Sequence, residues 1–124
     1  MPSLMSEKQL QRQIAEVLNY SGALCWITNA GMIKTSYRIK TGRLRGQVKS
    51  FMIRIGPAGM SDIIGMYKGR FLAIEVKLPE RRKNVTDIQN NFIENVREHD
   101  GIAGVVTSAD EAIKIVKDQT EAGI

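Results

Sequence analysis

The chain has 124 residues, 43% hydrophobic and 25% charged, with a net charge of +5. That describes one domain over residues 1–124 with a single core, and no apolar run approaches the roughly 20 residues of a bilayer-crossing helix. A lone cysteine, Cys25, excludes an internal disulfide and a zinc cage, and a lone histidine, His99, argues against Ser-His-Asp triads. With no basic-then-apolar leader at Met1 to Ser6, the expected compartment is a reducing cytoplasm.

In chain order, Ser6 to Tyr20 predicts a first helix. Ser6 is a good N-cap and Gln9 stands in capping-box position. Leu10, Ile14, Val17 and Leu18 recur at helical spacing, and Gly22 ends the run. On the helical wheel Glu7 lies within about 40° of the centre of the apolar face, whereas Glu16 lies about 145° away. Glu16 therefore faces solvent. Glu7 faces inward, either as a charge complementing the helix dipole or as a functional acid. Ala23 to Thr28 reads as a strand closed by Asn29-Ala30-Gly31, with Cys25 in the core and Trp26 packed or, alternatively, stacking on bases.

Met32 to Gln47 is polar, basic and broken by Gly42 and Gly46, which makes it an irregular arm or an extra hairpin; Val48 to Ile55 can form a strand. From Val17 to Ser61 there is no Asp or Glu, yet Lys34, Arg38, Lys40, Arg43, Arg45, Lys49 and Arg54 fall in that window. A block of one sign points to a polyanionic partner. Tyr37 among these cations adds a stacking surface of the kind nucleic-acid binders use.

Gly56-Pro57-Ala58-Gly59 is a turn that delivers the chain into Asp62. Two apolar runs, Asp62 to Tyr67 and Phe71 to Val76, flank Lys68-Gly69 and predict a β-hairpin. Asp62 starts its first strand. Glu75 and Lys77, two apart on the second, leave the same face about 7 Å from one another. Two acids and an ammonium beside a sheet are equipment for holding a divalent cation and a water next to a phosphate. The same charges would also suit an edge strand guarded against aggregation. However, Ala73, Ile74 and Val76 make this strand apolar on both sides, as a central strand is. A central strand seldom carries two charges on one face without a use for them.

Pro79 ends that strand, and Glu80 to Asn84 is a loop made basic by Arg81, Arg82 and Lys83. Thr86 caps a helix running to about His99, with Ile88, Phe92, Ile93 and Val96 as its apolar stripe and Gln89 turned to the sheet. Asp100-Gly101 stops it. Ile102 to Thr107 is a short strand, and Ser108 caps a last helix over 109–117 with Ala112, Ile113 and Val116 inward. Asp118 to Ile124 is expected to fray.

The Asp…Glu-x-Lys hairpin, set in the order helix, strand, hairpin, helix, strand, helix, resembles the PD-(D/E)xK nuclease superfamily. More narrowly, the chain resembles the virus-type replication-repair nuclease (VRR-NUC) domain, in its stand-alone phage or bacterial form. The matching residues are Glu7-x-x-Leu10-Gln11, Gly59 to Gly65, Phe71 to Lys77, Thr86-x-x-Gln89-x-x-Phe92, and Gly104-Val105-Val106 followed by Ser108. Ser61 stands where the superfamily name has proline, a position that ligates no metal.

The resemblance implies an α/β, restriction-endonuclease-like core. A mixed central sheet would be flanked by helices in the order αβββαβ, with a C-terminal helix and a basic arm. It implies phosphodiester hydrolysis dependent on Mg²⁺ or Mn²⁺. Asp62, Glu75 and the Val76 carbonyl would ligate the ion, and Glu7 would hold one of its waters or a second ion. Lys77 would orient the attacking water, and Gln89 would support Lys77 or that water. Phosphates would lie along Lys34, Arg38, Lys40, Arg43, Arg45, Lys49, Arg81, Arg82 and Lys83. Stand-alone members of the family resemble dimeric, junction-cutting enzymes, and a two-fold homodimer suits the near two-fold symmetry of a four-way (Holliday) junction. The competing readings are a monomeric flap or non-specific DNA nuclease, a restriction-type endonuclease with a sequence target, and a non-catalytic nucleic-acid-binding domain on the nuclease fold. Intact Asp62, Glu75 and Lys77 argue against the last.

Overall fold

The structure is a computed structural model that describes residues 4–122. Met1 to Ser3, and Gly123 and Ile124 of the expected frayed tail, lie outside the described residues. Helix α1 spans Glu7–Tyr20 and begins with the expected capping box: Ser6 Oγ accepts from the Gln9 N–H and Gln9 Oε1 accepts from the Ser6 N–H. Strand β1 (Leu24–Ile27) follows, then β2 (Met32–Arg38) and β3 (Val48–Arg54), β4 (Ile63–Tyr67) and β5 (Arg70–Val76). Helix α2 (Asp87–Glu98), strand β6 (Ile102–Val106) and helix α3 (Ala109–Ala122) complete the chain. Among the described residues no helix is long and apolar enough to cross a membrane.

Four strands form the central sheet in the order β1-β4-β5-β6, antiparallel except for the parallel pair β5–β6. Strand β5 is therefore central, as its two-sided apolar pattern predicts. The hairpin joining β4 to β5 turns at Lys68 (φ 48°) and Gly69 (φ 80°). Positive φ at both positions is the turn whose twist matches the strands it joins, and Gly69 adopts it without a Cβ clash.

Alternation along the strands divides the core. Cys25, Ile63, Leu72, Ile74 and Val76 point to the face covered by α1 and α3, with Leu10, Ile14, Leu18, Ala112 and Val116. Ala73 and Ala103 point to the other face, where α2 supplies Ile93 and Val96. Ile14, Ile63, Leu72, Ile74 and Ile102 are fully buried, each contributing about 2 kcal/mol of apolar burial. Cys25 belongs to this core, and its burial pushes the thiol pKa up, so it is no nucleophile. Both outer strands are closed by amide side chains. Asn19 bonds the Cys25 N–H and C=O on β1 at 2.8 and 3.0 Å. Gln119 does the same to Ala103 on β6 at 2.9 and 2.8 Å.

Four expectations need correction. Helix α3 runs on to Ala122 instead of fraying from Asp118, because Gln119 is locked to β6 and its carbonyl accepts from Arg70 at 2.8 Å. Ile113 is exposed, and Ile115 packs on the core in its place. Ile88 is exposed, because α2 leans on the sheet through Ile93 and Val96. Trp26 is half exposed, because α2 reaches β5 and β6 but not the β1 end of the sheet.

The arm is a hairpin. Among the described residues β2 and β3 pair only with each other, from Met32↔Arg54 to Arg38↔Val48, as a separate two-stranded sheet. Every residue of β3 is exposed. The run Val48 to Ile55 is thus a strand, but one that lies outside the central sheet.

Candidate active site

The β4–β5 register pairs Ile63 with Ile74. One step further sets Asp62 opposite Glu75, and the alternation puts both on the α2 face of the sheet. Asp62 is fixed twice. Its Oδ2 accepts from the Val76 N–H at 2.9 Å, and its carbonyl accepts from the Thr28 N–H at 2.8 Å. The Thr28 hydroxyl also donates to the Ser61 carbonyl at 2.8 Å, so the end of β1 clamps the segment that carries Asp62. Thr28 has no signature in the sequence, because its partners lie more than thirty residues away.

Glu75 is 2% exposed. Its Oε2 accepts from Gln89 Nε2 at 3.2 Å and lies 3.9 Å from the Lys77 ammonium. Gln89 is held for this task by the start of α2. Its Oε1 accepts from the Thr86 N–H at 3.0 Å, closing a second capping box, which turns the amide nitrogen toward the sheet. The expected inward turn of Gln89 is thus present, and its partner is Glu75, not Lys77.

Among the described residues Glu75 Oε1 has no hydrogen-bond partner. Burial pushes the Glu75 pKa up from 4.5 to about 9. The neighbouring Asp62 carboxylate pushes the same way, by its charge and by favouring a proton shared with Glu75; Lys77 opposes it, and Glu7 adds a smaller upward push. Glu7 is half-buried and Glu16 exposed, in the order the helical wheel predicts.

A buried carboxylate oxygen with no donor, beside a second carboxylate, is satisfied by a shared proton or by a cation. The donor set therefore fits a hard divalent ion. Among the described residues no three His, Cys, Asp or Glu side chains gather into a cage. Mg²⁺-type sites commonly use one or two carboxylates and leave the remaining positions to water and substrate phosphate, and Asp62 with Glu75 matches that pattern.

The nine basic residues expected to meet phosphates are all exposed. Lys34 and Arg38 stand on one face of the arm and Lys49 on the other, opposite Tyr37. Lys40, Arg43 and Arg45 crowd the tip between the two strands. Arg81, Arg82 and Lys83 lie on a 3-10 turn over Pro79–Asn84. Arg82 is paired with Glu111 at 2.9 Å, so its charge is partly neutralised within the chain. A cleft of about 400 Å³ between α1 and α3, lined by Leu18, Tyr67 and Val116, shares no residue with the carboxylates.

No curated protein sequence matches the chain. Residues 5–110 match the VRR-NUC domain, a span that holds Glu7, the Asp62–Glu75–Lys77 cluster and Gln89. A match over most of the chain shows the family: the chain belongs to the VRR-NUC family, whose domain is a nuclease of the PD-(D/E)xK type.

Proposed function

We propose that this nuclease is a divalent-metal-dependent DNA endonuclease that cuts four-way junctions as a two-fold homodimer. The observation that carries the chemistry is Glu75, buried beside Asp62 with one carboxylate oxygen that meets no donor among the described residues. Asp62, Glu75 and the Val76 carbonyl would hold Mg²⁺ or Mn²⁺. When bound, such an ion polarises a phosphate and acidifies water.

The protein groups have separate tasks. The Val76 N–H and the Thr28 clamp keep the Asp62 carboxylate from swinging away. Gln89 fixes the rotation of the Glu75 carboxylate. The Lys77 ammonium, anchored at 3.9 Å from Glu75, orients the attacking water and stabilises charge that grows on the phosphate oxygens. Glu7, at the first turn of α1, supplies a further acceptor for water at the site. Lys34, Arg38, Lys40, Arg43 and Arg45 of the arm, with Arg81 and Lys83, hold phosphates without reading sequence. Each chain carries one such set, and paired nicks across a near two-fold junction call for two sets related by a two-fold axis.

The test is cleavage of four-way junction, flap and linear duplex DNA by purified protein, with and without Mg²⁺ or Mn²⁺, alongside Asp62→Ala. The expected result is metal-dependent paired nicking of the junction, with Asp62→Ala inactive yet still binding DNA. Preference for flaps by a monomer would leave a monomeric flap nuclease. Binding without cleavage under every metal condition would leave a non-catalytic DNA-binding domain.

A further inference from the structure

The α2 face of the central sheet is only half covered. Leu24, Trp26, Met66 and Phe71 share that face through the register Leu24↔Met66↔Phe71 and Trp26↔Ile64, and they remain 45–60% exposed. The arm has two unlike faces. Ile33, Thr35 and Tyr37 pair with Ile53, Phe51 and Lys49, and their side chains share one side. Tyr37 and Phe51 meet there edge to face at 6.1 Å. Lys34, Arg38 and Arg54 stand on the opposite side.

Two grooves show where these sides lead. One of about 470 Å³ is lined by Trp26 and Ile64 of the sheet together with Ile33 and Ile55 of the arm. The apolar side of the arm is thus continuous with the uncovered sheet. The other, of about 280 Å³, runs between Met32 and Arg54 and the start of α2 at Thr86 and Gln89. The basic side of the arm therefore looks toward the Gln89 end of the active site.

We infer that the continuous apolar surface, sheet face plus apolar arm face, is the seat of a second copy of this chain, while the basic arm face is left to DNA. This rests on the dimeric reading above and specifies the surface. Its size suits the purpose. Eight side chains about half exposed, each of roughly 150–250 Å² in all, offer about 800 Å², the area one partner contributes to a standard stable interface. Its charge suits it too. Lys49 is the one cation on the apolar arm face among these paired residues, so two chains of net charge +5 meet where like charges are fewest. A phosphate backbone gains nothing from Leu24, Ile33 or Ile53. Partner-strand addition to the central sheet is disfavoured, because Asn19 and Gln119 already occupy the backbone groups of Cys25 and Ala103 on its two outer strands, so a face is the better seat.

Trp26 is the only tryptophan in the chain, so the surface carries its own reporter. The experiment is sedimentation of the whole protein over a dilution series, with Trp26 emission read at each concentration. A dimer that dissociates on dilution with a matching red shift of Trp26 supports the assignment. So does Phe51→Glu/Ile53→Glu weakening the dimer by about 100-fold or more, while Lys34→Ala/Arg38→Ala on the other face leaves it intact. Dissociation with unchanged Trp26 emission, or a Phe51→Glu/Ile53→Glu protein that stays dimeric, overturns the surface and leaves the dimeric reading standing. A monomer at every concentration overturns both. A Trp26 shift seen only when DNA is added to monomer gives this face to nucleic acid instead. The dilution series needs no substitution, so it decides the matter even if the double variant does not fold.

Discussion

Replacing Glu75 by Gln keeps the side chain's shape and its acceptor for Gln89 but removes a charge that the fold resists. The Glu75 carboxyl titrates near 9 instead of 4.5. Between those values the native state holds a proton that the unfolded chain has released, so native stability falls as pH rises across this window. It is greatest below 4.5, and the loss is complete above about 9. Each pH unit is worth about 1.4 kcal/mol. At pH 7, about two and a half units into the window, burying Glu75 costs about 3 kcal/mol. Glu75→Gln should recover most of this in metal-free protein, a rise in Tm of roughly 10 °C for a chain of this size. Scanning calorimetry in chelator from about pH 5 to pH 9 should show wild type weakening with pH and the variant staying flat. Adding Mg²⁺ or Mn²⁺ should restore wild type at high pH, because a cation that displaces the proton binds only the native state. It should do little for the variant, which should also lose cleavage. A wild-type Tm that does not change with pH, or a variant no more stable at pH 8, would refute the idea that Glu75 is buried at a cost only a proton or cation relieves.

Lys77→Ala should leave cation binding unchanged and slow cleavage by about 100-fold or more; Lys77→Arg should not rescue it, since a planar fork replaces a compact charge. Single-turnover rates beside metal titrations check this, and full activity in Lys77→Ala would make the residue structural. Neutralising Arg43 and Arg45 together should flatten the dependence of log K on log salt by about 0.9 for each phosphate no longer neutralised; an unchanged slope places the DNA elsewhere. Gly65→Ala should destabilise the fold by about 3 kcal/mol or more, because a Cβ there runs into the Leu24 carbonyl and Cys25 Cα. A denaturation midpoint equal to wild type would contradict the close β1–β4 approach.

The sequence is most legible where chemistry is local. The Ser6–Gln9 capping box, the Thr86 cap, the Lys68-Gly69 turn and the two-sided apolar pattern of β5 each depend on residues a few positions apart, and each is present. Placing Asp62 opposite Glu75 needs only the hairpin register. What stays hidden depends on distant partners. Thr28 acts on Ser61 and Asp62, Gln119 on Ala103, and Asn19 on Cys25. Such bonds leave no periodicity, so the end of α3 reads as a tail until Gln119 is seen to hold it. Trp26 misleads for a related reason: an apolar residue on a strand predicts a buried face only if something covers that face, and α2 stops short of β1.

Gln89 ties the first turn of α2 to Glu75 through a single amide group. Its oxygen closes the cap that starts the helix, and its nitrogen steadies the carboxylate. Nucleating the helix and aiming the acid are therefore one event. On the proposed function, a chain still folding, with α2 not yet wound, would have the acids and the lysine in its sequence but no aligned centre with which to cut nucleic acid. In the finished protein the same link would make fraying at Thr86 a brief loss of the Glu75 alignment, so a change in helix-start strength would be read out as a change in turnover.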